Sequence, residues 1–77
     1  MAMKELVEFV ARSLVDNQEA VTVEETEGPE AIILELHVAP EDMGKVIGKQ
    51  GRIAKTIRAV VRAATAKNAK PVFVEIQ

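Results

Sequence analysis

Apolar residues recur at helical spacing in the first part of the chain. This spacing predicts an amphipathic helix over residues 3–15 that packs one apolar stripe against the rest of the fold. Asp16 and Asn17 follow it as a stop. The stripe consists of Met3, Leu6, Val7, Val10 and Leu14.

The next two segments alternate apolar and polar residues, a pattern that is typical of β-strands. The first is a short strand from about Ala20 to Thr26. The second runs over residues 32–38, and Gly28 and Pro29 between the two segments supply turn chemistry. Because the connection is short, we expect an antiparallel hairpin. The second strand directs one set of side chains to one face, namely Ile32, Leu34, Leu36 and Val38.

The hairpin is followed by a predicted short helix, a glycine-rich stretch and a longer helix. Pro40 suits a first helical turn, and Glu41 and Asp42 complement the positive N-terminal end. The longer helix should run from about Arg52 to Lys67, and Lys67 and Lys70 should favour its negative C-terminal end. The glycines are Gly44, Gly48 and Gly51, and the predicted buried stripe of the longer helix is Ile53, Ile57, Val60, Val61 and Ala64.

A last strand is predicted where Val72, Val74 and Ile76 alternate with Phe73 and Glu75. The segment between the second and third strands contains two helices, and such a crossover joins parallel neighbours. The predicted fold class is therefore α+β with the order α-β-β-α-α-β. Its three-stranded mixed sheet is covered on one face by three helices.

Charge is strongly segregated along the chain, although the net charge is only −2. Residues 1–42 carry eleven of the twelve acidic residues. Residues 43–74 carry no acidic residue and eight of the ten basic ones. This distribution predicts a molecule with one positive face, unless the basic residues simply form a solvated helix surface. The eight are Lys45, Lys49, Arg52, Lys55, Arg58, Arg62, Lys67 and Lys70.

Two glycines separated by two residues lie just before the longer helix. A glycine lets the backbone turn sharply and lets a phosphate approach the main chain, which a Cβ atom would prevent. A helix N-terminus adds unpaired N–H groups and a positive dipole. Lys49 and Arg52, with Lys45 on the flank, add positive charge. Gly48 and Gly51 are therefore predicted to lie in an anion-binding segment.

Three kinds of phosphate-binding loop are candidates for this stretch. A P-loop needs four residues between its glycines and a hydroxyl after its lysine, but only three residues separate Gly44 from Gly48, and Gln50 follows Lys49. The dinucleotide fingerprint needs a different glycine spacing. A GxxG segment between two helices, which clamps the backbone of about four nucleotides, fits both spacing and context.

The motif looks like the signature of KH domains in the run Val46-Ile47-Gly48-Lys49-Gln50-Gly51-Arg52. The element order matches the type II variant. Nearly the whole chain is similar to the small stand-alone bacterial KH proteins of the KhpA family. The resemblance implies one KH domain over residues 1–77, with an extra helix and strand at about 1–28 and a core motif at about 30–77.

The family resemblance also implies a role for individual residues. Gly48 and Gly51 would contact the sugar-phosphate backbone, and Lys49 and Gln50 would be the variable loop residues. Ile47 would help to line an apolar groove for the bases. Ala54 departs from the branched aliphatic residue of many KH domains, which predicts a shallower groove floor. The expected RNA-binding residues are Gly48, Lys49, Gln50, Gly51, Lys45, Ile47, Arg52 and Lys55.

The resemblance further implies a cytoplasmic RNA chaperone or post-transcriptional regulator. It implies self-association or pairing with a larger KH-containing protein, linked to cell division, cell shape and control of the cell wall. The expected partner is single-stranded RNA, with no membrane and no small-molecule substrate. The chain lacks cysteine, which excludes disulfides and thiolate zinc sites.

Two other function classes are alternatives to RNA binding. An adaptor would use the sheet face that carries Ile33 and Phe73 to bind a partner protein. An enzyme lacks support, because the single serine, Ser13, is predicted far from the single histidine, His37. A lone histidine without cysteine also argues against a metal site. No catalytic residue and no cofactor are expected.

Overall fold

The computed structural model describes residues 2–77, with the side chains of all of these except residues 49 and 50. A single 3₁₀ turn joins the first helix to the first strand. In chain order the elements are helix α1 (Met3–Leu14), the 3₁₀ turn (Gln18–Ala20), strand β1 (Thr22–Glu27), strand β2 (Ile32–His37), helix α2 (Pro40–Ala64) and strand β3 (Val72–Ile76).

The three strands form one mixed sheet in the order β1-β2-β3. β1 pairs antiparallel with β2, and the hairpin is closed where the Gly28 N–H donates to the Ala31 carbonyl oxygen at 2.8 Å. β3 pairs parallel with β2 on the other side. The predicted hairpin, the crossover to a parallel strand and the α+β fold class are confirmed.

One face of the sheet is buried against the helices. Leu34 and Leu36 of the central strand are fully buried there, together with Val7 of α1 and Ile57 of α2. The predicted inward direction of the alternating strand residues is confirmed. Aliphatic side chains make up this core, since Phe9 and Phe73 are both more than half exposed, at 63% and 56%.

The opposite face of the sheet carries a row of acidic side chains. Glu24 of β1 stands beside Glu35 of β2, and Glu35 stands beside Glu75 of β3. The next cross-strand pair on this face is apolar, with the half-buried Ile33 beside Phe73. The sheet therefore presents negative charge on the side that the helices do not cover.

A buried carboxyl group joins the start of α2 to the end of α1. Asp42 is only 1% exposed. Its Oδ1 accepts the backbone N–H of Asp16 at 3.2 Å, and its Oδ2 accepts that of Asn17 at 2.9 Å. The sequence indicated Asp42 only as a partner of the α2 dipole. Its second role, which is to hold the chain as it leaves α1, depends on a contact across more than twenty residues.

The glycine stretch differs from the predicted loop between two separate helices. The helical segment α2 continues from Pro40 to Ala64. Within it, Gly51 has a φ of +68°, a left-handed conformation that cannot belong to a regular right-handed helix. Gly51 therefore divides α2 into the shorter and the longer helix that were expected. One residue is enough for this division, so no extended loop is needed.

The C-terminal part of α2 differs from the prediction in two respects. The helix ends at Ala64 and not at Lys67, because the backbone of Thr65 is extended and its N–H donates to the Arg62 carbonyl oxygen at 3.3 Å. Ala64 is exposed, so its assignment to the buried stripe was wrong. Ala54, at 4% exposure, lies in the core in line with Ile57 and Val61.

Replacing Asp42 should destabilise the fold more than replacing an exposed polar residue does. We expect Asp42→Ala to lower the free energy of unfolding by about 2 kcal/mol, because two backbone N–H groups lose their acceptors. Chemical denaturation measures this change. The neighbouring Glu41→Ala is the control and should change stability by less than about 0.5 kcal/mol, since Glu41 is exposed. Equal effects of the two substitutions would contradict the assignment.

Candidate nucleic-acid interface

The two glycines of the GxxG motif face open space. A Cβ atom built on Gly48 or on Gly51 would meet no atom within 4 Å beyond its chain neighbours and the backbone of its own helix. The backbone at these positions is therefore neither inside the core nor covered by the acidic hairpin. A ligand can approach the main chain here from solvent.

The two glycines differ in what the fold requires of them. Gly51, at a φ of +68°, occupies a region that residues with a Cβ rarely adopt. Gly48 has no such positive φ, and the helix around it would accept a side chain. The fold itself therefore explains Gly51 but not Gly48.

A groove of about 430 Å³ begins at Gly51 and runs between α2 and the end of β3. Ile47 stands at its edge with 56% of its surface exposed, which is unusual for a large aliphatic side chain. Ala54 contributes only a methyl group to the wall. The groove thus combines apolar walls with a glycine backbone and two cations. Its lining residues are Ile47, Gly51, Ala54, Lys55, Arg58 and Ile76.

The basic residues on the outer side of α2 have different surroundings. Arg52, Lys55 and Arg62 are exposed and form no ion pair with any acidic residue in the described part of the chain. Lys45 instead lies 3.2 Å from Asp16 Oδ1, although both side chains remain largely in solvent. Exposed pairs of this kind contribute little to stability. Lys45 can therefore exchange this carboxylate for another anion at low cost.

Lys70 serves the fold and not the helix end for which it was predicted. Its Nζ donates to Glu27 Oε2 at 2.6 Å and to the Gly28 carbonyl oxygen at 3.1 Å. The hydrogen bond and the positive charge of Lys70 hold the pKa of Glu27 below the usual range of a glutamate. The prediction that Lys70 stabilises the C-terminus of the longer helix was wrong, because α2 has already ended at Ala64.

Two of the eight expected site residues have side chains outside the described part of the structure. They are Lys49 and Gln50, whose backbone belongs to α2. Of the other six, Gly51, Ile47 and Lys55 line the groove together. Arg52 follows Gly51 directly, Gly48 lies three residues before it, and Lys45 lies about one helical turn before Gly48.

Sequence reasoning did not include Arg58 or Ile76 among the site residues. Arg58 was predicted on the basic surface of α2, and Ile76 only on a strand. Their meeting in the groove depends on β3 being the edge strand beside α2, which the sequence pattern does not specify. A second groove of about 530 Å³ continues beyond Arg58, between the C-terminal part of α2 and β3.

The described residues provide no metal centre. His37 Nε2 lies 4.0 Å from Glu24 Oε1. Among the residues that the structure describes, no three or more ligating side chains are grouped so that they could hold a metal ion. Over residues 2–77, no helix is both long enough and apolar enough to span a bilayer.

Comparison with known proteins gives one family. A family model described as "KhpA/KhpB, KH domain" matches residues 4–76. A protein named "RNA-binding protein KhpA" from Clostridium perfringens is 69% identical over 74 residues, which cover 96% of this chain and 99% of that protein. A protein of the same name from Aquifex aeolicus is 48% identical over 75 residues, covering 97% and 95%. No solved structure gives a significant match.

Substitution of Gly51 should test its left-handed conformation. We expect Gly51→Ala to lower the free energy of unfolding by about 1–2 kcal/mol, the cost of placing a Cβ in this region. Gly51→Asn should cost less, because asparagine adopts positive φ more readily. Denaturant unfolding of both variants measures the difference. If Gly51→Ala were as stable as the unchanged protein, the positive φ would be wrong.

Proposed function

Because the chain belongs to the KhpA/KhpB family of KH domains, we propose that it binds single-stranded RNA at Gly48 to Gly51 and in the adjoining groove. The relatives that it matches are named as RNA-binding proteins, and the family is one of KH proteins and not of enzymes. The observation that carries the proposal is the open glycine backbone at the end of an apolar, cation-lined groove.

Each part of the site has a separate task in this proposal. RNA phosphates lie against the main chain at Gly48 and Gly51, where no side chain keeps them away. Bases lie in the groove on Ile47. The exposed cations Lys45, Arg52 and Lys55 attract the backbone from both sides, and Lys49 and Gln50 complete the loop.

One such domain should bind RNA weakly. The groove contains no aromatic side chain among its described lining residues, and base stacking on aromatic rings provides much of the affinity in other single-strand binders. Pairing with a second KH domain would raise the apparent affinity by avidity. We propose that the protein acts in the cytoplasm in this way, as an RNA chaperone or post-transcriptional regulator.

A second candidate function is that of a protein adaptor. It is favoured by Phe73, which lies 56% exposed on the uncovered face of the sheet beside Ile33. In that case the glycine segment would be dispensable in cells and the sheet face essential. RNA binding is preferred, because the adaptor gives no reason for the open backbone at Gly48.

Reversing charge at the loop should abolish RNA binding. We expect unchanged protein to bind a short single-stranded RNA with a slope near −2 in a plot of log affinity against log salt, from about three neutralised phosphates at roughly 0.7 each. Lys49→Asp combined with Gln50→Asp should remove this binding, because two carboxylates then repel the phosphates. Fluorescence anisotropy at several salt concentrations measures both effects.

The control for loop reversal is Lys4→Asp combined with Gln18→Asp. Both residues are exposed at the other end of the chain, and the pair changes the net charge equally. Its binding should stay within about twofold of unchanged protein. If both double variants lost the same RNA affinity, the effect would be due to net charge, and the proposed site would be contradicted. RNA binding that does not depend on salt concentration would also contradict it.

Replacing Gly48 with alanine should show whether this glycine is needed for RNA binding or for folding. Gly48→Ala should raise the free energy of unfolding by about 0.5–1 kcal/mol, because alanine favours the helix and its Cβ meets nothing. It should also weaken RNA binding about tenfold or more, because the methyl group holds the phosphates away. Denaturation and anisotropy measure the two effects.

Gly44 offers a matched control one turn earlier in the same helix. A Cβ at Gly44 also meets nothing within 4 Å. Gly44→Ala should give the same gain in stability with unchanged RNA affinity. If Gly48→Ala and Gly44→Ala bound RNA equally well, close approach of RNA to Gly48 would be refuted.

A further inference from the structure

The uncovered face of the sheet carries one glutamate on each strand, and the three form a row across the sheet. Glu24 stands beside Glu35, and Glu35 stands beside Glu75. Because neighbouring strands lie about 4.8 Å apart, the backbone of this glutamate row spans roughly 10 Å. Glu24 and Glu75 are exposed and Glu35 is partly exposed, so all three side chains reach solvent.

Other side chains neutralise little of the charge of the glutamate row. Gln77 Nε2 donates to Glu35 Oε2 at 3.0 Å, and His37 Nε2 lies 4.0 Å from Glu24 Oε1. No lysine or arginine in the described part of the chain forms an ion pair with any of the three glutamates. Like charges directly opposite each other on neighbouring strands destabilise a sheet. The row therefore does not stabilise the fold, and a cationic ligand would relieve its repulsion.

An apolar pair lies beside the glutamate row on the same face. Ile33 is half-buried, and Phe73 next to it is more than half exposed. Successive side chains on one face of a strand are two residues apart, so this pair lies roughly 7 Å from the row. The core of the described residues lies on the other face, where Leu34 and Leu36 are fully buried. A ligand for the uncovered face therefore needs cations and an apolar surface side by side.

An α-helix that crosses the strands matches this arrangement. Its turns repeat every 5.4 Å, which is close to the 4.8 Å between strands, so cationic side chains at i, i+4 and i+7 meet successive glutamates. An extended chain in the same direction has side chains about 6.7 Å apart on one face, and its charges would be out of step by the third glutamate. A helix is also about 10 Å wide, which is enough to cover both rows.

We propose that the uncovered sheet face binds a basic amphipathic helix of a partner protein. Lysines or arginines of that helix pair with the glutamate row, and its apolar stripe packs on Ile33 and Phe73. RNA is repelled from this face by its own phosphates, and the proposed RNA site lies along α2 on the other side of the sheet. Binding of the helix therefore accompanies RNA binding and does not rest on it.

A second copy of this chain fits the face less well than such a helix. Its own sheet face is equally acidic, so a symmetric pair of these faces would bring six glutamates together. Its basic helix α2 has already buried its apolar stripe, including Ile57 and Val61, in its own core. The charge and the apolar pair together thus favour a different protein as the partner.

The test uses a fluorescent sixteen-residue peptide of leucine and lysine, with the leucines at helical spacing. Unchanged protein should bind it with roughly micromolar affinity, since the face is small. Combining Glu24→Gln, Glu35→Gln and Glu75→Gln should weaken binding about tenfold, the effect of three exposed ion pairs. Phe73→Thr retains a strand-favouring residue and should weaken it about fivefold, through lost apolar contact. Fluorescence anisotropy measures all three affinities.

A matched control changes the net charge equally at other sites. It combines Glu5→Gln, Glu19→Gln and Glu30→Gln, all at exposed positions, and its peptide affinity should stay within about twofold of unchanged protein. A peptide of the same composition, ordered so that no apolar stripe forms, should bind unchanged protein at least about fivefold more weakly. The glutamate-row variant should not be less stable in urea, because it removes like-charge repulsion. Its RNA affinity should not fall, because no cation has changed.

The outcomes separate this proposal from RNA binding. Equal weakening in the two triple variants would show that net charge holds the peptide, and it would overturn the proposal. Undiminished binding in the glutamate-row variant, or no binding by unchanged protein, would do the same. Self-association that sedimentation detects in unchanged protein but not in the glutamate-row variant would assign the face to a second copy. Loss of RNA binding in that variant would contradict the proposed RNA site as well.

Discussion

The position of α2 depends on the buried carboxyl group of Asp42. Its two oxygens accept the N–H groups of Asp16 and Asn17, so the first turn of α2 is fastened to the chain just after α1. Both helices then lie on the same face of the sheet, with Val46 buried between them and the strands. Gly48 and Gly51 follow Val46 within two turns of α2. The hydrogen bonds of Asp42, which position α2, therefore also determine that the two glycines face solvent.

The glycine segment combines two requirements that are easily confused. Gly51 lets the backbone leave right-handed geometry for one residue and resume it, which divides α2 without a loop. Gly48 lies in ordinary helical backbone with empty space where a side chain would be. The first glycine is needed to form the fold. Gly48 lowers the stability of the helix and stabilises no other part of the fold. Such a loss of stability is typical of residues that contact a ligand.

Local patterns predicted those parts of the fold that depend on neighbours in sequence. Alternation identified β2 and its buried residues, and the short turn containing Gly28 identified the hairpin. The buried stripe of α2 was wrong at Ala64 because a helix stripe read from sequence cannot tell where the helix leaves the sheet. Ala54, which is small and lies near the glycines, gave no signal of its burial.

The candidate site was predictable in its centre and not at its borders. The glycine spacing indicated where an anion could approach, and the charge distribution indicated a basic helix. The partners of Lys45 and Lys70, in contrast, are acidic residues distant in sequence. The contact of Arg58 with Val74 depends on which strand lies at the sheet edge, and that follows from topology. Pairings of this kind arise only once the elements are packed.

In this thin molecule the uncovered face of the sheet and the outer side of α2 carry exposed side chains of opposite charge. Its shorter extents are only 22 and 19 Å, with Glu24, Glu35 and Glu75 on the uncovered sheet and Arg52, Lys55 and Arg62 outside α2. At physiological ionic strength charge is screened over about 8 Å, so a charged ligand close to one surface interacts mainly with the charges of that surface. A negatively charged protein can therefore attract a polyanion from one direction and repel it from the other, which selects orientation before any contact forms.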